Sequence, residues 1–444
     1  MSDKKTKIYV GIIIGLTLTL GTLWFIIIKD TNTSTNTSKN NLQENKKSTE
    51  TKNITYSSKK EITKEENIKD EKITSTNADE NAILVSGNIK STLSDITVKK
   101  EGDSDGGDNT SFYGTNSAIL AKDGATLTIK NATIETNATG ANGVFSYGGS
   151  ATTNNSKSDG TTINISDSTI TTTKGNSGGI MTTGGGTTNA KNLTVTTSGQ
   201  SSAAIRSDRG GGIVNVDGGV YTSNGVGSPA IYSTADITVK NAKLISTTSE
   251  GAIIEGKNSI TLENVDLEDT HTKNVKSKTY KNIFIYQSMS GDAKEGEATF
   301  TAKDSTITTN NGDSFYISNT SAVINLENNK IINNDKNGYF LRSQKDSWGN
   351  EGKNGGIVTL NLTNQKVEGN IGVDEISSLT INMKSSSITG AIENKGTVSI
   401  KLDKNSTLTL TGDSYITSLE NEDETNQNII TNGYKLYVNG KELQ

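Results

Sequence analysis

From about residue 83 to the C-terminus, apolar and polar positions alternate in short runs, and the same arrangement keeps returning. Its clearest copies read TTINISDSTITTTKGNSGGIMTTGGG, IVNVDGGVYTSNGVGSPAIYSTA, DITVKNAKLISTTSEGAIIEGKN and TFTAKDSTITTNNGDSFYISNT. Each opens on an alternating run, crosses a short Asn, Asp or Gly corner, alternates again, and reaches a third apolar run after a polar turn. A period of two marks a strand with one buried face. Equivalent positions recur about every 22–26 residues, the length of a unit that must stack on copies of itself to bury anything. The pattern predicts an all-β parallel β-helix over residues 81–410, with three strands per coil and about 11–12 coils. Residues 411–444, with an apolar run at 434–438 and a charged tail, read as a polar cap that stops end-to-end stacking.

Stacking like on like gives three inward ladders. The first runs through Ile163/Ile165, Val214/Val216, Ile237/Val239, Ile260/Leu262 and Val323/Leu326; the second through Ile170, Val195, Val220, Leu244, Leu267 and Ile307. The third runs through Ile119, Val144, Ile180, Ile205, Ile231, Ile253, Phe284, Phe315 and Phe340. Alternation then turns Leu120, Phe145, Met181, Arg206, Tyr232, Ile254, Ile285, Tyr316 and Leu341 outward, a row too apolar for a solvated sheet face. Long insertions follow this third strand at 148–160, 288–297 and 344–355. Two readings stay open. In one, Phe145, Tyr147, Tyr232 and Tyr316 line a shallow groove and stack on sugar rings or a protein partner, with Arg206, Asp208 and Arg209 adding polar contacts. In the other, the insertions fold back over the row and make it an exterior core. In the coils of Phe284, Phe315 and Phe340 the inward and outward sets can exchange, because a one-residue slip reverses every side chain.

The N-terminus carries a different signal. Residues 8–28, IYVGIIIGLTLTLGTLWFIII, are uncharged and as a helix would span about 31 Å, the thickness of a bilayer core. Lys4, Lys5 and Lys7 in the tail 1–7 place that end in the cytoplasm and the remainder outside. The residues at 25–28 lack a small-x-small cleavage pattern, which favours an uncleaved transmembrane anchor over a cleaved signal peptide. Residues 29–80 are mostly Lys, Glu, Asn, Ser and Thr and read as a disordered linker. The expected location is therefore the cell membrane, single-pass through residues 8–28, with the C-terminal domain extracellular.

Composition narrows the chemistry. Hydrophobic residues make up 30% and aromatics 5% of 444 residues, lean for a globular core but sufficient for a thin continuous stack. The absence of cysteine excludes disulfides, Cys-ligated zinc and a thiol nucleophile. The sole histidine, His271 in EDTHTKN, excludes His-based triads and multi-histidine metal sites, and is expected to be solvated. Residues 81–444 hold 31 Lys and Arg against 38 Asp and Glu, which argues against a nucleic-acid partner. Asp103, Asp105 and Asp108 in EGDSDGGDNTSFYG offer hard oxygen donors to calcium, without EF-hand spacing; the competing reading is a solvated acidic turn. Trp348, in the polar insertion QKDSWGNEGKN, is either an exposed contact or a pin for its own loop.

The strand pattern resembles the right-handed parallel β-helix of the pectin-lyase-like superfamily. More closely, SSAAIRSDRGGGIVNVDGGVYTSNGVGSPAIYSTADITVKNAKL, YKNIFIYQSMSGDA and TLTLTGDSYITSLENEDE resemble adhesin-like β-helix proteins of bacterial and archaeal cell surfaces. The resemblance covers nearly everything after residue 83. It implies an exported, envelope-associated repeat protein and transfers no catalytic residues. The expected function is binding, as an adhesin or a surface glycan or host-protein contact, without covalent chemistry or an obligatory cofactor. One alternative is a polysaccharide lyase or glycoside hydrolase, in which Asp208, Glu255 and Lys257 fall on neighbouring coils near one corner and the paired carboxylates cleave the glycosidic bond. Another is a structural component of the cell envelope.

Overall fold

A computed structural model describes residues 54–150, 157–274 and 279–443. The expected anchor at 8–28 and the linker as far as residue 53 lie outside the described residues. Among the described residues no helix is long and apolar enough to cross a membrane.

The described chain is a parallel β-helix. Third strands stack into one sheet of 13, from Ser57–Ile62 to Ile392–Asn394. First and second strands join in a 22-stranded sheet, because Gly186–Thr197 and Gly212–Ser223 each run unbroken through the corner between them. Toward the C-terminus the second ladder separates as Lys366–Glu368, Ser387–Gly390, Thr407–Leu410 and Ile429–Ile430. Among the described strands the one antiparallel pair is the last, Leu436–Val438 with Lys441–Glu442. That hairpin turns the chain back at the rod's end and blocks another coil.

The corner between first and second strands explains the frequency of Asn and Asp. Asn131, Asp167, Asn192, Asn241, Asn264, Asp304 and Asn328 occupy it with φ between 50° and 55°, a left-handed conformation that short amide and carboxylate side chains tolerate best. In register, their side chains bond along the rod. Asn264 donates to Asn241 at 2.8 Å, and Asn328 to Asp304 at 2.6 Å. Where Gly218 (φ 77°) interrupts the column, Asn241 donates to Asp217 instead, at 2.7 Å.

The interior is one continuous stack, as in the register Ile165–Ala190–Val216–Val239–Leu262–Ala302–Leu326–Leu362, every member buried. Several expectations need correction. Residues 57–75 are not linker: Ser57–Ile62, Asn67–Lys69 and Lys72–Ser75 form a first coil paired with 80–100. Each strand buries a single Ile (Ile62, Ile68 and Ile73), too few to register as apolar content, yet enough when the next coil supplies the opposing surface. In the second ladder Tyr221 faces inward, fully buried, while Val220 is 39% exposed. In the first ladder Ile324, not Val323, takes the core position.

In the third ladder Ile254, Ile283 and Ile285 point inward, and Ile253 and Phe284 outward. Leu341, not Phe340, pairs with Phe315, although the Phe340 ring also reaches the core, 5.5 Å from that of Phe315. The runs AIIE and NIFIY are apolar on both faces, so alternation carries no orientation there; only cross-coil pairing sets it.

Replacing Asn264 by Ala should cost about 1 kcal/mol, from the left-handed backbone and the lost amide bond, and Asn264→Gly should cost less. Urea denaturation midpoints of the two variants measure the difference.

Candidate functional site

The outward row of the third ladder is the region sequence reasoning singled out, and pairing fixes it as Leu84, Leu120, Phe145, Met181, Arg206, Tyr232, Ile253, Phe284, Tyr316 and Arg342. It is covered. Leu84, Leu120, Phe145 and Met181 form one exterior cluster, edged by Tyr56 and Tyr147. Ile253, Phe284, Tyr286 and Tyr316 form a second, edged by Tyr232 and Trp348. Phe145 is fully enclosed and Tyr316 is 1% exposed, so their rings already stack on protein.

Among the described residues three segments make the cover. The short helix Asp108–Tyr113 lies over the first cluster: Thr183 donates to the Phe112 carbonyl at 2.8 Å, and the Tyr113 ring meets Tyr147 edge-on at 5.6 Å. It ends at Gly114 (φ 72°), where a β-carbon would sit 2.8 Å from the Phe145 ring, so only glycine lets the backbone pass. The insertion at 344–355 closes the second cluster. Trp348 packs against Tyr286 at 5.4 Å, and Gln344 donates to the Tyr316 hydroxyl at 3.0 Å; this indole pins its own loop to the rod. Between the clusters lies the third segment, residues 288–297, over a polar centre.

Arg206 reaches Asp208 at 2.8 Å and the Ser201 carbonyl at 3.0 Å. Arg209 binds Asp292 through Nε at 3.1 Å and through a terminal nitrogen at 2.6 Å, with the Phe112 ring 3.9 Å below its guanidinium. Glu255, 1% exposed, accepts hydroxyl hydrogen bonds from Tyr232 and Ser288, and one from Tyr286 at 3.2 Å. Burial pushes the Glu255 carboxyl up to about 7, with the Asp292 and Asp208 charges adding to it and the hydroxyl donors opposing. Burial likewise raises Asp208 to about 6 against the pull of Arg206. The Tyr232 and Tyr286 phenols are driven well above their ordinary value by burial and then by Glu255.

The residues expected to bind a ligand thus share one row but are divided between two clusters and the polar centre between them, and their side chains face one another or the covering segments. Asp208 and Glu255 do converge, joined by Asp292. Lys257 contributes mainly its backbone, donating to the Lys294 carbonyl at 2.7 Å. Of the calcium candidates, Asp103 accepts the Thr139 amide at 2.7 Å, Asp105 accepts that of Gly107 at 2.9 Å, and Asp108 opens the helix. Among the described residues no three His, Cys, Asp or Glu side chains gather in a metal-holding arrangement.

His271 departs from expectation. It is fully buried, 5.1 Å from the Tyr280 ring, with Nδ1 within 2.9–3.0 Å of the Lys281 backbone carbonyl and amide. Lys281 is buried too: its ammonium lies over Phe284 at 4.3 Å and Tyr316 at 4.8 Å, donates to Thr279 at 3.0 Å, and stands 3.8 Å from Asp346. Burial lowers its pKa while Glu250, Asp346 and Asp313 pull the other way. A charged residue in a polar stretch looks solvated until the neighbouring coil and insertion enclose it. Asp292 and Ser288 were missed for the same reason, being loop residues with no pattern.

No family model, curated protein or solved structure matches the chain.

Two outcomes follow for the row. Phe145→Ala should destabilise the protein by about 3–5 kcal/mol, as for a buried aromatic, read by thermal or urea unfolding. Glu255 in the folded protein holds a proton that an ordinary carboxyl, near 4.5, has released. The unfolded chain therefore loses that proton first, and stability falls as pH rises from about 4.5 through about 7, by on the order of 3 kcal/mol. Glu255→Gln should flatten this part of the stability–pH curve and be the more stable protein at pH 8.

Proposed function

We propose that this protein acts by binding, as a membrane-anchored, extracellular β-helix that contacts glycans or host proteins in the manner of an adhesin. The right-handed winding and the kinship with adhesin-like surface proteins belong to the same reading. One observation carries it: a straight column of uncharged hydrogen-bonding side chains on the outer face of the first strands. In register it runs Thr128, Asn164, Asn189, Asn215, Thr238, Thr261, Thr301, Asn325, Asn361 and Asn382.

The amides bond along the column at 2.9 Å (Asn189 to Asn164, Asn215 to Asn189) and 2.8 Å (Asn361 to Asn325, Asn382 to Asn361). Each interior amide spends one N–H and one lone pair there and keeps the others free. Fixed at the coil spacing of about 4.8 Å, such a row suits an extended, hydroxyl-rich partner and supplies no general acid or base.

A second reading has its own support. Asp208, Glu255 and Asp292 converge, and a carboxyl that stays protonated near neutrality is the equipment of a glycoside hydrolase acid. Its enclosure under residues 288–297 favours binding over cleavage.

A glycan and host-protein array, run with and without calcium, tests the first reading. Capture of at least one extended glycan is expected, and Asn215→Ala combined with Asn361→Ala should weaken it roughly tenfold by removing two hydrogen-bonding groups. An array on which nothing binds removes the reading. Release of reducing or unsaturated ends from pectin or alginate, abolished in Glu255→Gln, would establish the second instead.

A further inference from the structure

The segment 288–297 is held on the rod differently from its neighbours. The helix Asp108–Tyr113 and the loop bearing Trp348 cover the row with rings against rings. Residues 288–297 contribute no aromatic side chain, and Met289 is 60% exposed. Their attachments are polar: Ser288 donates to Glu255, Asp292 receives Arg209, Lys294 accepts the Lys257 amide, and Gln287 at the root donates to the carbonyls of Ser288 at 3.1 Å and Ala293 at 3.4 Å. Glycines punctuate it. Gly291 (φ 78°) has nothing within 4 Å of where a β-carbon would stand, and Gly296 (φ 150°) sits where other residues are strained.

Beneath the segment lies Glu255, with the Tyr232 and Tyr286 hydroxyls bonded to it. We propose that residues 288–297 form a strap latched on Glu255, which lifts when Glu255 ionises and uncovers the polar centre of Glu255 and the Tyr232 and Tyr286 hydroxyls that bond it.

The charges around the latch decide the direction. Above about pH 6, where Asp208 is ionised, Arg206 and Asp208 from lower coils neutralise each other across 2.8 Å. Arg209 and Asp292 do the same across 2.6 Å. The coils on either side offer the hydroxyls of Tyr232 and Tyr286, and the strap offers those of Ser288 and Ser290. Lys257 and Lys294 meet through their backbones. Glu255 is therefore left without a cation of its own, beside two carboxylates. An ionised Glu255 must find water, and the strap is the movable wall; closure takes up one proton relative to the open form. Opening should rise about tenfold per pH unit between the ordinary carboxyl value and the point where Glu255 titrates in the closed form, and level off above that point, for a one-proton linkage.

This extends beyond the binding column, since it concerns a different face and a condition for its exposure. Hydrogen exchange of the full-length protein from pH 5.5 to 8.5, corrected for intrinsic rates, measures strap opening directly. The core strand Ile260-bearing Ser259–Glu263 serves as the reference for global unfolding. The expected result is loss of protection in 288–297 at high pH with the reference strand unchanged. Arg209→Ala should open the strap more at every pH and keep the pH slope; Glu255→Gln should abolish the slope. Equal strap protection at both ends of the range, or an unchanged slope in Glu255→Gln, overturns the proposal.

Discussion

Everything in this molecule depends on coil-to-coil pairing of parallel strands. No coil can bury its own inward side chains, because a single turn of three short strands encloses almost nothing; each apolar residue is covered by its counterparts above and below. That is why a chain with so little hydrophobic content folds into a rod with an unbroken interior. It also explains why the corner column is built from Asn and Asp. The register must be repeated at every coil, and a left-handed residue whose side chain bonds its neighbour along the axis fixes the turn and the spacing together.

The same constraint produces the exterior core. Third strands carry apolar residues on both faces in several coils, so the sheet has a second side to cover, and the chain covers it with segments that leave the rod and return. Two of these segments seal their clusters with aromatic rings, Tyr113 on Tyr147 and Trp348 on Tyr286. The third lies over Arg206, Asp208, Arg209, Glu255 and Asp292, where the contents are nearly balanced in charge but exceed the cations by one carboxylate. Burial of that surplus charge moves Glu255 and Asp208 toward neutrality. Lys100 shows the opposite sign: fully buried, it donates to the carbonyls of Asn77 and Gly102, and burial brings its pKa down to about 8. Ionisable groups are admitted on this rod where backbone oxygens or hydroxyls can meet them.

Two surfaces with different properties result. The first-strand face is open and regular. Its amide column is uncharged and already ordered by its own hydrogen bonds, so a partner would meet a surface with little side-chain entropy left to lose. Beside it on the same face runs a charged column through Lys191, Asp217, Lys240, Glu263, Lys303 and Glu327. The third-strand face is richer in aromatic area but closed by the protein's own chain. A binding role is carried by the first, and the second is available only to the extent that its cover moves.

By itself the sequence determined the parallel β-helix, the direction in which most strands face, the Asx corners, and the presence of an over-apolar outer row with insertions beside it, because all of these are written as short-range periodicity. The tertiary structure decided what periodicity cannot express. It placed a first coil in residues 57–75, since a lone Ile per strand becomes core only when another coil lies against it. It also set the orientation of Ile253 and Phe284, whose runs are apolar on both sides. And it enclosed Glu255, Lys281 and His271, polar residues whose burial is imposed by segments far away in the chain.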